Sequence, residues 1–207
     1  MSYDYSENIL VQESAGHLLV DELGWQVELA YNQEVLGENG TFGRSSYKDI
    51  LLVRYFQKAL RTLNPWITDA QVTEAQNTFE KHLSSASLMQ INEEKYAYIR
   101  DGIPVTEKKP NGQTEEKRAI IIDFQHPNDM ERNHFLAVKE MKIHGDLYRR
   151  RTDIVGFVNG IPLLFIELKK NSVDVQNAYT DNYTDYLDTI PQLFYYNAFL
   201  MLSNGVE

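Results

Sequence analysis

A chain of 207 residues, 43% of them hydrophobic, has enough core material for one large domain or two small ones. It has no cysteine, which excludes a disulfide framework and a thiolate metal site and fits a reducing cytosol. The net charge of −10 argues by itself against a nucleic-acid partner. The opening MSYDYSENIL lacks a signal-peptide layout, and no window approaches the roughly 18 apolar residues of a membrane span, so a soluble cytoplasmic protein is expected.

Residues 8 to 23 carry apolar side chains at helical spacing and stop at Gly24. WQVELA (25–30) reads as a short strand, and 35 to 46 as loop. Tyr47 to Leu63 reads as a helix that Asn64-Pro65 breaks. Thr68 and Gln71 form a capping box for a further helix running to about His82. These helices look like an insertion at about 47–86, between the first strand and a core at about 8–30 and 95–207, the whole forming a single domain.

From Lys95 the period moves towards two. KYAYIRDGIPV, KRAIIIDF, HFLAVKEMKI, DIVGFVNG and IPLLFIELKK are five strand candidates, punctuated by PNGQ, HPND and NG. Helical character returns over 173 to 188, and YYNAFLMLS (195–203) reads as a last buried strand. The order implies an α/β fold with a mixed β-sheet flanked by helices.

The charge is unevenly spread. Residues 141 to 170 hold six Lys/Arg against three acids, so this window is about +3 and the remainder about −13. Inside it, RRRTDIVGFVNGIPLLFIELKK (149–170) is an apolar hairpin with Asp153 at its entrance and Glu167 and Lys169 at its exit. A plain two-residue turn at Asn159-Gly160 would pair 153 with 166 and send the two acids to opposite faces. A three-residue loop, Val158-Asn159-Gly160, with Gly160 in a bulge, would pair 157 with 161 and 153 with 165. Asp153, Glu167 and Lys169 then share a face.

Two carboxylates on one face repel unless one is protonated or a cation sits between them. Hard oxygen ligands suit Mg²⁺ or Mn²⁺, with the carbonyl of Leu168 as another donor. Such an ion lowers the pKa of bound water and steadies charge on a scissile phosphate, Lys169 can orient that water, and the preceding arginines, Arg150 and Arg151, can meet phosphate oxygens. The spacing describes metal-dependent phosphodiester cleavage, although Asp-x(10–20)-Glu-x-Lys alone is common and a surface salt bridge would explain it equally well.

The wider window is more specific. RNHFLAVKEMKIHGDLYRRRTDIVGFVNGIPLLFIELKKNS, followed by IPQLFYYNAFLMLSNG, closely resembles the N-terminal nuclease region of the R (HsdR) subunit of type I restriction enzymes. ILVQESAGHLLVDELGW, NPWITDAQVTEA and IRDGIPV extend the likeness over essentially the whole chain. The resemblance implies a PD-(D/E)xK restriction-endonuclease-like core, endonuclease activity on double-stranded DNA, a Mg²⁺ (or Mn²⁺) requirement, and methylase and specificity subunits as partners. By position it makes Asp153 and Glu167 metal ligands and Lys169 the catalytic lysine, with Glu13 of the first helix completing the metal site. From the residues alone, Glu13 reads as an exposed helix glutamate, beside a Gly16 that allows close backbone approach.

Two departures stand out. Thr152 replaces the family's proline before the aspartate, and Asn182 with Tyr186 stands where the family has Gln-x-x-x-Tyr. Val175, Tyr179, Asn182 and Tyr186 fall on one helical face, which would place Asn182 and Tyr186 at the edge of the site. The family's ATP-driven motor has no counterpart here. GTFGRSS (40–46) lacks the P-loop lysine, so ATP hydrolysis is not expected and the chain reads as a fragment of a longer one. A silent docking or scaffold domain of the same complex, or a repair or junction nuclease on the same fold, are the competing readings. The five histidines show no metalloprotease or H-N-H spacing.

Overall fold

The computed structural model describes residues 7–170 and 172–206. A first helix, α1 (Glu7–Asp21), ends near Gly24 and leads into strand β1 (Gln26–Leu29). Helices α2 (Val53–Leu63), α3 (Asp69–Glu80) and α4 (Leu88–Asp101) follow. Then come β2 (Ile103–Lys108), β3 (Thr114–Ala119), β4 (Phe135–Lys139), β5 (Lys142–His144), β6 (Arg149–Arg151), β7 (Ile154–Val158) and β8 (Ile161–Leu168). A π-helical stretch, Ala178–Tyr183, runs into α5 (Thr184–Thr189), and β9 (Phe199–Ser203) closes the series. No described helix is long and apolar enough to cross a membrane.

The main sheet has the order β1-β4-β7-β8-β9. Its outer pairs, β1/β4 and β8/β9, are parallel, and its inner pairs are antiparallel, so the sheet is mixed as expected. All of β7 is buried because both faces of the sheet are covered. Leu19 of α1 packs on Ala137, Ile154 and Ile166 on one face. Val155, Phe157 and Phe165 join the larger core, which takes in Phe56, Leu60 and Phe79 of the helical insert and Tyr186 of α5.

The β7–β8 hairpin corrects the expected register. Its connection is two residues long, Val158 pairing with Ile161, and Asn159 and Gly160 both adopt positive φ (51° and 80°), the primed turn that Asn-Gly favours. The bulge lies further in. Phe157 faces Pro162 while Gly156 faces Leu164, leaving Leu163 unpaired on β8. Its carbonyl accepts from Ala198 N at 2.8 Å. A side chain at 156 would meet Leu164 Cβ and the Trp25 ring at 2.9 Å, so the shift requires glycine there. Beyond the bulge Ile154 pairs with Ile166, and continuing that ladder sets Asp153 opposite Glu167 rather than opposite 165. A bulge does bring the acids to one face, but not at the loop.

Four element boundaries also differ from the expected ones. Residues 47 to 52 are not helical. Asp49 accepts from Ser45 N and Ser46 N, and Leu52 N donates to Gly160 O, so α2 starts only at Val53. KYAYIRDGIPV is strand only from Ile103. Ser87 and Gln90 form a second capping box, and Ile91, Lys95 and Ile99 make the buried stripe of α4, which extends the helical region to Asp101. In KRAIIIDF the strand stops at Ala119, because Ile120 N donates to Asn64 Oδ1 and Asp123 N to Asn133 Oδ1 instead of to a neighbouring strand. Finally, β9 starts at Phe199 and not at 195, and it is an edge strand, not a buried one: Phe199 is 66% exposed.

Candidate active site

Alternation along β7 and β8 carries Val155 and Phe165 into the core shared with α5, and Glu167, two residues beyond Phe165, points the same way. Asp153 stands at the same end. Its Oδ2 accepts from Leu168 N at 2.7 Å, and its carbonyl accepts from Glu140 N at 2.8 Å. The position of Asp153 is therefore fixed from both neighbouring strands. Thr152 is fully buried and its N–H donates to Met141 O, a bond that the family's proline would not make.

Glu167 is 2% exposed. Its Oε1 accepts from Asn182 Nδ2, while Oε2 is buried and has no hydrogen-bond partner among the described residues. Burial, then the neighbouring Asp153 charge, push its carboxyl up to about 8. Asp153 is raised as well, chiefly by burial, with the Leu168 amide and Lys169 opposing. Two acids thus share a low-dielectric space in which a second negative charge is unwelcome.

Asn182 ties the cluster together. Its Oδ1 accepts from Lys169 Nζ and its Nδ2 donates to Glu167 Oε1, so one amide spans the amine and the acid. The shorter side chain therefore makes contacts with both partners. The π-helical turn that carries Asn182 breaks the expected stripe: Ala178 is buried and Tyr179 is 47% exposed, because the wider turn shifts the inward face by one residue. Asn182 and Tyr186 keep their place at the site. The Tyr186 hydroxyl donates to Arg151 O at 3.1 Å, and burial raises its pKa.

The structure does not bring Glu13 to the two carboxylates. Its Oε1 accepts from Lys139 Nζ at 2.7 Å, and Lys139 shares strand parity with Ala137, on the α1 side of the sheet. Among the described residues no group of three His, Asp or Glu side chains is placed to hold a metal. A Cβ added at Gly16 would lie 3.7 Å from Lys139 Cδ, ordinary contact range, so the helix approach does not require glycine there. Arg150 is also committed elsewhere, its guanidinium donating to both oxygens of Asp185. Among the described residues the ion-pair partner of Arg151 is Glu140 at 3.5 Å, and half of its side chain is exposed.

Two contributors escaped the sequence reading. Gln12, adjacent to Glu13, donates to Asp153 O at 3.3 Å, and nothing local distinguishes it from any helix glutamine. Glu140 holds Asp153 through its amide because its backbone is left-handed (φ 53°), a conformation that a glutamate does not advertise.

A mixed sheet flanked by helices, carrying a buried glutamate and a half-buried aspartate, an amine and a bridging amide at one strand end, defines an α/β protein with a carboxylate–lysine site. The chain's sequence matches the family model of the type I restriction enzyme R protein N terminus over residues 4–207, and the chain belongs to that family. It is 31% identical over 191 residues to the type I restriction enzyme HindI endonuclease subunit of Haemophilus influenzae, covering 90% of this chain and 17% of that protein. It is 30% identical over 169 residues to the MjaIXP endonuclease subunit of Methanocaldococcus jannaschii, itself a provisional assignment, covering 79% and 16%. The chain therefore spans about a sixth of the length of these relatives.

Proposed function

We propose that this chain is the metal-dependent endonuclease module of a type I restriction R subunit, with a PD-(D/E)xK site that hydrolyses phosphodiester bonds of double-stranded DNA. The observation that carries the reading is the pair of acids at the ends of adjacent strands, one of them with a pKa of about 8 and a buried oxygen that has no hydrogen-bond partner among the described residues. An uncompensated buried oxygen is costly, and a hard divalent cation is the natural complement to such a set. Asp153, Glu167 and the Leu168 carbonyl would hold Mg²⁺ or Mn²⁺, and Glu13 would join only by leaving Lys139.

Bound there, the ion would supply Lewis-acid stabilisation of the scissile phosphate and a more acidic water. The chain's own residues supply the rest. Lys169, held by Asn182, presents a fixed ammonium to the attacking water and the phosphate oxygens. Asn182 also fixes Glu167 Oε1, which leaves the other carboxylate oxygen to face the ion. Tyr186 anchors the backbone just before the acids through Arg151 O.

The relatives are named as endonuclease subunits of type I restriction enzymes, which supports a place in a multi-subunit complex acting on DNA, and methylase and specificity subunits are the partners proposed. Calorimetric titration of Mg²⁺ or Mn²⁺ into the chain and into Asp153→Ala tests the site, with heat expected only for the unaltered protein. In the assembled enzyme, Lys169→Ala should abolish DNA cleavage with metal binding intact. Unchanged cleavage would instead mark the module as a scaffold.

A further inference from the structure

The strand leading into the site has a structure of its own. β5 and β6 form a two-stranded ribbon with Lys142 opposite Arg151, Ile143 opposite Arg150 and His144 opposite Arg149. Directly opposed residues share a face, so the ribbon is divided. On the inner face Ile143 is fully buried and Arg150 is clamped to Asp185 of α5. The outer face carries Lys142, His144, Arg149 and Arg151.

Acids offset these outer cations little. Among the described residues neither Arg149 nor Lys142 has an ion-pair partner, and Arg151 has only the 3.5 Å contact to Glu140. Burial, followed by the charges of Arg149, Arg44, Lys142 and Lys48, holds His144 below its usual pKa, which reports positive charge gathered in one place. In a chain of net charge −10 such a face stands apart.

It is also rigid. Tyr31 lies beneath two of the cations, 4.4 Å from the Arg151 guanidinium carbon and 5.3 Å from Lys142 Nζ. Arg44, sealed in a buried pair with Glu34, donates to Lys142 O at 3.1 Å and supports β5 from below. Tyr186 of the site holds Arg151 O. The ribbon and the acid pair are therefore coupled through α5 at two points, Arg150–Asp185 and Tyr186–Arg151.

We propose that Lys142, Arg149 and Arg151 are the duplex-positioning residues of this site, laying the DNA phosphate backbone along the outer face of the ribbon beside Asp153 and Glu167. The proposal rests on the nuclease reading above. Cross-strand neighbours lie about 5 Å apart and residues two apart along a strand about 6.6 Å, so the cations form a small grid that successive phosphates can meet. Arg151 is two residues from Asp153, which places a phosphate held there next to the one being cut. Arg150 plays a different part, locking the ribbon in place without meeting DNA.

The test uses the 207-residue chain and a short fluorescein-labelled DNA duplex, with anisotropy read in Ca²⁺ buffer over a range of salt. A triple variant, Lys142→Ala with Arg149→Ala and Arg151→Ala, should bind at least about tenfold more weakly, and its log K against log salt slope should be shallower by about 3, near one per phosphate contact. Lys109→Ala with Lys117→Ala and Arg118→Ala changes net charge equally on the separate β2–β3 hairpin and should leave the slope unchanged. Asp153-dependent Mg²⁺ heat should survive in both, which shows the fold and site intact. Equal affinity and slope for wild type and the ribbon variant would overturn the proposal and leave the nuclease reading standing. Absence of Asp153-dependent metal binding in the wild-type chain would sink the nuclease reading itself, and the ribbon proposal with it.

Discussion

Replacing Glu167 with Gln should stabilise the metal-free fold at and above neutral pH, and the size of the effect follows from the site. Glu167 is 2% exposed, one of its oxygens has no hydrogen-bond partner among the described residues, and its pKa rises from 4.5 to about 8. A carboxyl raised on folding is better protonated in the folded state, so folding binds a proton between those two values. Stability is therefore highest below the unfolded pKa, falls as pH climbs through the interval, and levels off above the folded pKa. At about 1.4 kcal/mol per unit the full loss approaches 5 kcal/mol, a large share of the roughly 5–15 kcal/mol that holds a domain together. Gln carries no charge and can still accept from Asn182, so the variant should show little of this slope. Urea unfolding followed by tryptophan fluorescence in EDTA, from about pH 5 to about pH 9, reads both curves. Adding Mg²⁺ at the alkaline end should restore the wild type far more than the variant. A wild-type curve that stays flat or rises with pH, or a variant less stable than wild type above pH 8, would refute the reasoning.

Three further outcomes are expected. Asn182→Ala leaves Lys169 Nζ and Glu167 Oε1 without the amide that spans them, so it should cost about 1–3 kcal/mol of stability and lower cleavage, with Asn182→Gln recovering part of both in a combined unfolding and nuclease assay. Gly156→Ala forces a methyl against Leu164 and Trp25 at 2.9 Å and should destabilise by about 1–3 kcal/mol in denaturant titration, because the neighbours are central-strand and ring atoms with little room to move. Arg44→Ala strands Glu34, whose side chain is 2% exposed, and should lower stability by about 3–5 kcal/mol, visible as a fall in Tm and in DNA affinity together, since Arg44 also supports β5.

Much of the fold is legible in the residue order because local chemistry and global packing agree. Thr68 and Gln71 build the capping box they spell, the fully apolar run after Asp153 becomes the doubly covered strand it reads as, and Asn159-Gly160 turns the chain between them. Legibility failed where a side chain belied its place. Lys95 occupies a core stripe, with its Nζ donating to Lys81 O, so α4 lacked the apolar period that would have marked it. Asn64 and Asn133 drew the backbone amides of Ile120 and Asp123 away from strand pairing, across 56 and 10 residues respectively, and no local pattern encodes that.

At the site the division is similar. That Asp153, Glu167 and Lys169 meet at one hairpin end was written in the sequence, because strand parity and a turn dipeptide constrain where side chains point. Parity alone also required one extra residue somewhere between the acids. Where that residue sits was decided by tertiary contacts: Trp25 and Leu164 press on Gly156, and only the bare backbone there lets the ladder slip by one. The same holds for Glu13, whose carboxylate pairs with Lys139 126 residues along the chain, and for Arg150, whose partner Asp185 lies 35 residues along the chain. An ion pair between distant segments depends on how the elements come to rest against one another, and the order of residues does not record that.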